Sequence, residues 1–125
     1  AAMTKVLIVE DELLLLEVIA DELRDAGFEV IEATTGEEAL ERCEQQLADV
    51  LFTDIRLPGR VDGWDIAERC RAANPDLPVI YATGYTAAPV RRVPGSLFFH
   101  KPYKPSRVVA AIRDLTARMG GERRA

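Results

Sequence analysis

Val50-Leu51-Phe52-Thr53-Asp54-Ile55-Arg56-Leu57-Pro58-Gly59 is the stretch that decides the fold. Its first four residues suit a strand covered on both faces. The fifth is an acid, and a loop with proline and glycine follows. A strand that stops at a carboxylate delivers that carboxylate to the rim of a sheet. In an open α/β sheet, ligands bind at this carboxyl-end rim. Asp54 is therefore read as the working residue.

The segments on either side repeat the pattern. Lys5-Val6-Leu7-Ile8-Val9-Glu10 is a nearly continuous apolar run and predicts a first strand. It closes on Glu10-Asp11-Glu12. Leu16, Ile19, Ala20 and Leu23 then recur at helical spacing, and Gly27 stands where a helix C-terminal glycine belongs. Phe28 to Ala33 reads as the second strand. Thr35-Gly36-Glu37-Glu38 has the form of a capping box and opens a helix with Ala39, Leu40, Cys43 and Leu47 on one face.

Past the Asp54 strand, Asp62 or Gly63 starts a third helix with Ile66, Ala67, Cys70 and Ala73 inward. Asn74-Pro75-Asp76 ends it, because a residue before proline avoids the helical region. Pro78 to Thr83 is the fourth strand and Leu97 to Lys101 the fifth. Pro105 at a first helical position opens a last helix, with Val108, Ile112, Leu115 and Met119 on its stripe. Gly120-Gly121 is expected to end it, leaving residues 120–125 as a tail.

Strands alternating with helices imply a parallel sheet with helices on both faces. Five strands fit the doubly wound, flavodoxin-like order 2-1-3-4-5. One crossover departs from the pattern. Between Gly84 and Gly95 the chain carries two prolines and no sustained apolar stripe. The helix that belongs there, the fourth, is expected to be short or missing, with one turn at most.

The chain of 125 residues fits one domain, residues 3–119. Ala1 and Ala2, ahead of Met3, read as an expression remnant. Sixteen Lys and Arg against 21 Asp and Glu give a net charge of −5. That argues against direct nucleic acid binding, which needs a basic face. No apolar run approaches the ~20 residues of a membrane span, and no signal peptide is visible, so a cytoplasmic protein is expected. Cys43 and Cys70 lie far apart, outside any metal-binding spacing, and read as buried reduced thiols.

In the 2-1-3-4-5 order, strands 1, 3, 4 and 5 are neighbours and their carboxyl ends share one edge. Glu10 and Asp11, then Asp54, Thr83 and Lys101 should therefore converge. Clustered carboxylates repel, and without compensation one takes up a proton. Two compensators suit the set. One is Mg²⁺, a hard ion that prefers oxygen ligands. The other is Lys101, a point charge able to hold a phosphoryl oxygen. Each signal alone has an ordinary structural explanation as a turn, a cap, a solvated charge or a satisfied hydroxyl. Their placement at successive strand ends carries the argument.

The set Glu10-Asp11, Asp54, Thr83 and Lys101-Pro102 resembles the signature of the response-regulator receiver domain of two-component signalling, the CheY-like family, over residues 3–119. The resemblance implies that Asp54 is the phosphoacceptor. It also implies that Glu10, Asp11, Asp54 and the backbone carbonyl of Arg56 hold Mg²⁺. Thr83 would be the switch hydroxyl, Lys101 the family's lysine, and Phe98 the switch aromatic, a position that ordinary core packing also explains. The donor would be a sensor histidine kinase or phosphotransfer protein, and the output a contact with a downstream protein or a second copy of this chain. Catalysis would extend only to the chain's own phosphorylation and dephosphorylation. Tyr81-Ala82-Thr83-Gly84-Tyr85 and the shortened stretch after it resemble a single-domain receiver subgroup of alphaproteobacteria. Tyr85, Arg91 and Arg92 would then form a modified partner surface. Tyr85 and Arg56 also flank the route of water to an acyl phosphate, which suggests slowed hydrolysis. The loop from Pro58 to Gly63 is one residue longer than the commonest family form.

Three alternatives fit the sequence less well. A haloacid-dehalogenase-type phosphatase needs a second acid two residues after its nucleophile, where this chain has Arg56. A flavin-binding module needs a hydroxyl- and glycine-rich phosphate loop after strand one, where this chain has Glu10-Asp11-Glu12. A receiver-like binding scaffold that works without phosphorylation keeps the fold but has no need of the acidic pair and Lys101. The lone His100 reads as a structural residue of the fifth strand.

Overall fold

The structure, a computed structural model, describes residues 3–45, 47–84 and 91–124, with side chains in the last helix described as far as Arg118. Among the described residues, five strands and four helices follow one another as β1 (Lys5–Val9), α1 (Leu13–Asp25), β2 (Glu29–Ala33), α2 (Gly36–Glu44), β3 (Val50–Asp54), α3 (Gly63–Ala73), β4 (Val79–Thr83), β5 (Leu97–His100) and α4 (Pro105–Arg124). The strands are all parallel, in the order β2-β1-β3-β4-β5.

Alternate strand residues feed two cores. Val6, Ile8, Phe52 and Ile80 pack against Leu16, Ile19 and Leu23 of α1 and Val108 and Ile112 of α4. Leu7, Val9, Leu51, Val79 and Tyr81 pack on the other face against Ala39 of α2 and Ile66 and Ala67 of α3. Burial on both faces is why these strands are continuous apolar runs. Every residue of β3 and β4 is buried.

The strand ends lie one residue inside the expected limits at Glu10, Phe28, Pro78 and Lys101. The pairing nevertheless continues past two of these ends. Glu10 donates its N–H to the Ala33 carbonyl at 3.1 Å, and Lys101 donates to Thr83 at 2.9 Å.

Helix starts follow their capping residues. Thr35 caps α2 by accepting from the Glu38 N–H, while the Glu38 carboxylate accepts from the Thr34 N–H and hydroxyl. Asp62 and Asp65 form a reciprocal capping box at α3.

Four expectations are corrected. Leu47 does not join the buried face of α2, because the helix ends at Glu44 and Leu47 is exposed. Ala73 is exposed in the last turn of α3. Gly120-Gly121 does not stop α4, which runs on to Arg124. Both glycines lie within the helix, and a glycine inside a helix costs only about 1 kcal/mol. The two cysteines are not separate thiols. Cys43 and Cys70 are joined as a disulfide between α2 and α3, with a Cα–Cα distance of 5.2 Å.

Among the described residues, no helix lies between β4 and β5, and residues 91–96 form a strap instead. Arg91 donates to Asp65 (3.0 Å) and Glu68 (2.7 Å) on α3. Arg92 bonds to the hydroxyl and carbonyl of Ser96. Val93 is buried, and its N–H donates to the Tyr81 hydroxyl at 3.0 Å. Tyr81→Phe leaves that N–H without an acceptor and is expected to cost about 1.5 kcal/mol in urea unfolding, with no change in sheet content by circular dichroism.

Candidate functional site

The carboxyl ends of β1, β3, β4 and β5 open into one cleft of about 360 Å³, lined by Asp11, Glu12, Asp54, Arg56, Thr83, Gly84 and Lys101. The position of Asp54 is fixed from behind. The Thr53 hydroxyl donates to the Asp54 carbonyl at 2.7 Å. The Gly63 N–H donates to the Ile55 carbonyl at 2.8 Å. A side chain on Gly63 would collide with the Asp54 carbonyl oxygen and the Ile55 backbone. The start of α3 therefore presses directly on the end of β3. Gly63→Ala is expected to destabilise the protein by about 3 kcal/mol in urea unfolding, since rigid backbone rather than a side-chain tip must yield.

At the centre of the cleft, Lys101 Nζ lies 2.8 Å from Glu10 Oε1 and 3.0 Å from both carboxylate oxygens of Asp54. The other oxygen of Glu10 accepts the Glu12 N–H at 3.1 Å. Glu10 and Asp54 are buried, whereas Asp11 is exposed to the cleft. Oxygens of all three carboxylates lie within 4.8 Å of one another.

The charges divide unequally. Burial first, and then the hydrogen bond and repulsion from Glu10, push Asp54 up to about 8, against the pull of Lys101. Burial also acts to raise Glu10, but hydrogen bonds from Asp54, Lys101 and the Glu12 N–H outweigh it and hold Glu10 low. Burial acts to lower Lys101, and its two carboxylate partners outweigh that and raise it. Lys101 thus serves two buried carboxylates at once, and burial together with the neighbouring Glu10 favours the protonated form of Asp54. The donors are all hard oxygen atoms, with no thiolate or imidazole among them. This set fits a divalent ion of the Mg²⁺ type.

Thr83 is buried at the end of β4 and lines the cleft beside Lys101. The Lys101–Pro102 peptide is cis. Phe98 is half-buried on β5, in an aromatic group with Tyr81 (6.1 Å between centroids), Trp64 (6.5 Å) and His100 (5.2 Å). His100 stands exposed at the end of β5. Arg56 is at the cleft as the sequence suggested. Arg91 and Arg92, expected on a partner surface, bind α3 and Ser96 within the chain, and Tyr85 lies outside the described residues.

Sequence reasoning missed three contributors. Glu12 supplies the N–H that holds Glu10. Gly63 allows the close approach of α3. Tyr103 packs against Phe52 and Phe99, at 5.7 and 6.3 Å, behind Glu10 and Asp54. Only Gly63 left a sequence trace, as a glycine next to a helix cap.

A parallel five-stranded sheet with acids, a hydroxyl and a lysine at its carboxyl-end cleft defines a class, and comparison with known proteins names it. The chain belongs to the response regulator receiver domain family, whose model matches residues 6–113. It is 32% identical over 117 residues to "Chemotaxis protein CheY" of Thermotoga maritima, covering 90% of this chain and 97% of that one. It is 33% identical over 119 residues to "Probable transcriptional regulatory protein TcrX" of Mycobacterium tuberculosis, covering 92% of this chain and 50% of that one. The chain thus spans about half the length of several curated relatives. The crystal structure of a response regulator receiver protein from Sinorhizobium medicae WSM419 superposes with a TM-score of 0.86 at 31% identity, covering 90% and 94% of the two chains. Among the described residues, no helix is long and apolar enough to cross a membrane.

Proposed function

We propose that this receiver accepts a phosphoryl group on Asp54 from the phosphohistidine of a sensor kinase or phosphotransfer protein in the cytoplasm. The observation that supports it is the buried Asp54 carboxylate, gripped by Lys101 and flanked by Glu10 and Asp11 at the floor of an open cleft. An Asp54 oxygen attacks phosphorus, the P–N bond to the donor imidazole breaks, and the electron pair leaves with that nitrogen. Lys101 holds the phosphoryl oxygens as the bond forms. Bound Mg²⁺, held by Glu10, Asp11, Asp54 and the Arg56 carbonyl, would supply further neutralisation of those oxygens. Asp54 must be ionised to attack, and a cation held by these oxygens would favour that ionised form.

Thr83 would bond the new phosphoryl oxygen, and Phe98 would turn as the hydroxyl moves. That makes a two-state surface switch. The output is contact with a downstream protein, and the chain catalyses nothing beyond its own phosphorylation and dephosphorylation. Transfer of label from acetyl phosphate tests the chemistry. The label should be released by hydroxylamine, as an acyl phosphate is, and should map to the peptide containing Asp54. Label that resists hydroxylamine, or maps to His100, contradicts the proposal.

A further inference from the structure

Cys43 and Cys70 take no part in the cleft. We propose that they form a redox-responsive cross-link, which opens to two thiols and closes to a disulfide within the folded protein and thereby sets the stability of the α2–α3 face.

Three features support this. The Cα–Cα distance of 5.2 Å lies within the span of an ordinary disulfide. A cavity of about 20 Å³ borders both residues, lined by Leu7, Leu51 and Leu77 among others, and gives separated sulfurs somewhere to go. Both side chains belong to the apolar core of that face, where thiols pack as small hydrophobes. Access is asymmetric, with Cys43 8% and Cys70 2% exposed. Cys43 therefore meets the oxidant first.

With oxidised glutathione as the oxidant, the Cys43 thiolate attacks one glutathione sulfur and releases one reduced glutathione. The Cys70 thiolate then attacks the mixed disulfide at Cys43 and releases the second. Two electrons pass to the oxidant, and the two cysteine protons end on the released thiols. The closed link joins residues separated by 27 positions and restricts the unfolded chain accordingly. It fastens together two helices whose first residues, Gly36 and Gly63, press on Val61 and on the end of β3.

The test equilibrates the full chain in glutathione buffers from reduced to oxidised, then denatures it in excess maleimide and records intact mass. The expected result is two labels on the reduced form and none on the oxidised form, reversibly and in a monomer. The oxidised form should melt roughly 10 °C higher, and its hydrogen exchange should slow in α2 and α3 but not in α1. Cys70→Ala should remove the redox dependence of melting; if that variant does not fold, Cys43→Ala serves the same comparison. Two labels at every glutathione ratio would overturn the proposal. So would a link that reduces only after unfolding, disulfide-linked dimers in place of the internal bridge, or a redox shift that persists in the cysteine variant.

Discussion

Asp54→Asn is expected to abolish the phosphoryl adduct and, in metal-free buffer, to make the protein more stable. The first effect follows from removing the nucleophile: a carboxamide oxygen does not form the acyl phosphate. The second follows from the raised Asp54 pKa. Its native value of about 8 stands well above the usual carboxylate range, roughly 3.9 in an unfolded chain. Between those limits the native state holds a proton that the unfolded state has lost, so this group makes stability fall as pH rises from about 4 to about 8. Asparagine removes that dependence. Its oxygen still accepts from Lys101, and its amide donates to Glu10 where two carboxylates had competed. The expected gain at pH 8 is about 2 kcal/mol, measured as a higher urea midpoint, and it should shrink toward pH 5. Mg²⁺ should raise the wild-type midpoint and leave the variant nearly unmoved.

Lys101→Met is expected to have the converse effect. Lys101 is the cation that touches both buried acids. Methionine fills the same channel without a charge. Glu10 and Asp54 then share a buried site with no cation between them, a class of change that costs about 3 kcal/mol. The cost should grow above about pH 8, where the wild-type Asp54 loses its proton and pairs with Lys101 while the variant, with no cation beside it, keeps the proton. In the wild type, the Lys101 contribution persists below about pH 10, the ordinary lysine value, and is lost above it, because its native pKa is raised. The same variant loses a donor to the phosphoryl oxygens and should slow adduct formation about a hundredfold. Mg²⁺ should recover much of the stability and little of the rate.

The sheet was legible because β1, β3 and β4 are buried on both faces, and unbroken apolar runs are the direct mark of that. Once the strand order was fixed, Glu10, Asp11, Asp54, Thr83 and Lys101 had to meet at one edge. That is why residues up to 91 positions apart in the sequence are readable as neighbours. Tertiary detail was not legible. The 27-residue spacing of Cys43 and Cys70 says nothing about which helix faces touch. Arg91 looked like a loop cation on the surface, and its partners Asp65 and Glu68 lie a crossover away on α3. The bond from the Val93 N–H to the Tyr81 hydroxyl joins a strap to a strand through a group with no sequence pattern of its own. Gly120-Gly121 misled for the opposite reason, since a propensity was read as a stop signal.

The most direct measurement is intact mass after incubation with acetyl phosphate, with Mg²⁺ and with chelator, on wild type and Asp54→Asn. One phosphoryl group added to the wild type in Mg²⁺, and none in chelator or on the variant, is the predicted result. An adduct of equal extent on Asp54→Asn, or no adduct on the wild type in Mg²⁺ under conditions that preserve acyl phosphates, would contradict the account. The latter outcome would leave a receiver fold that binds partners without phosphorylation.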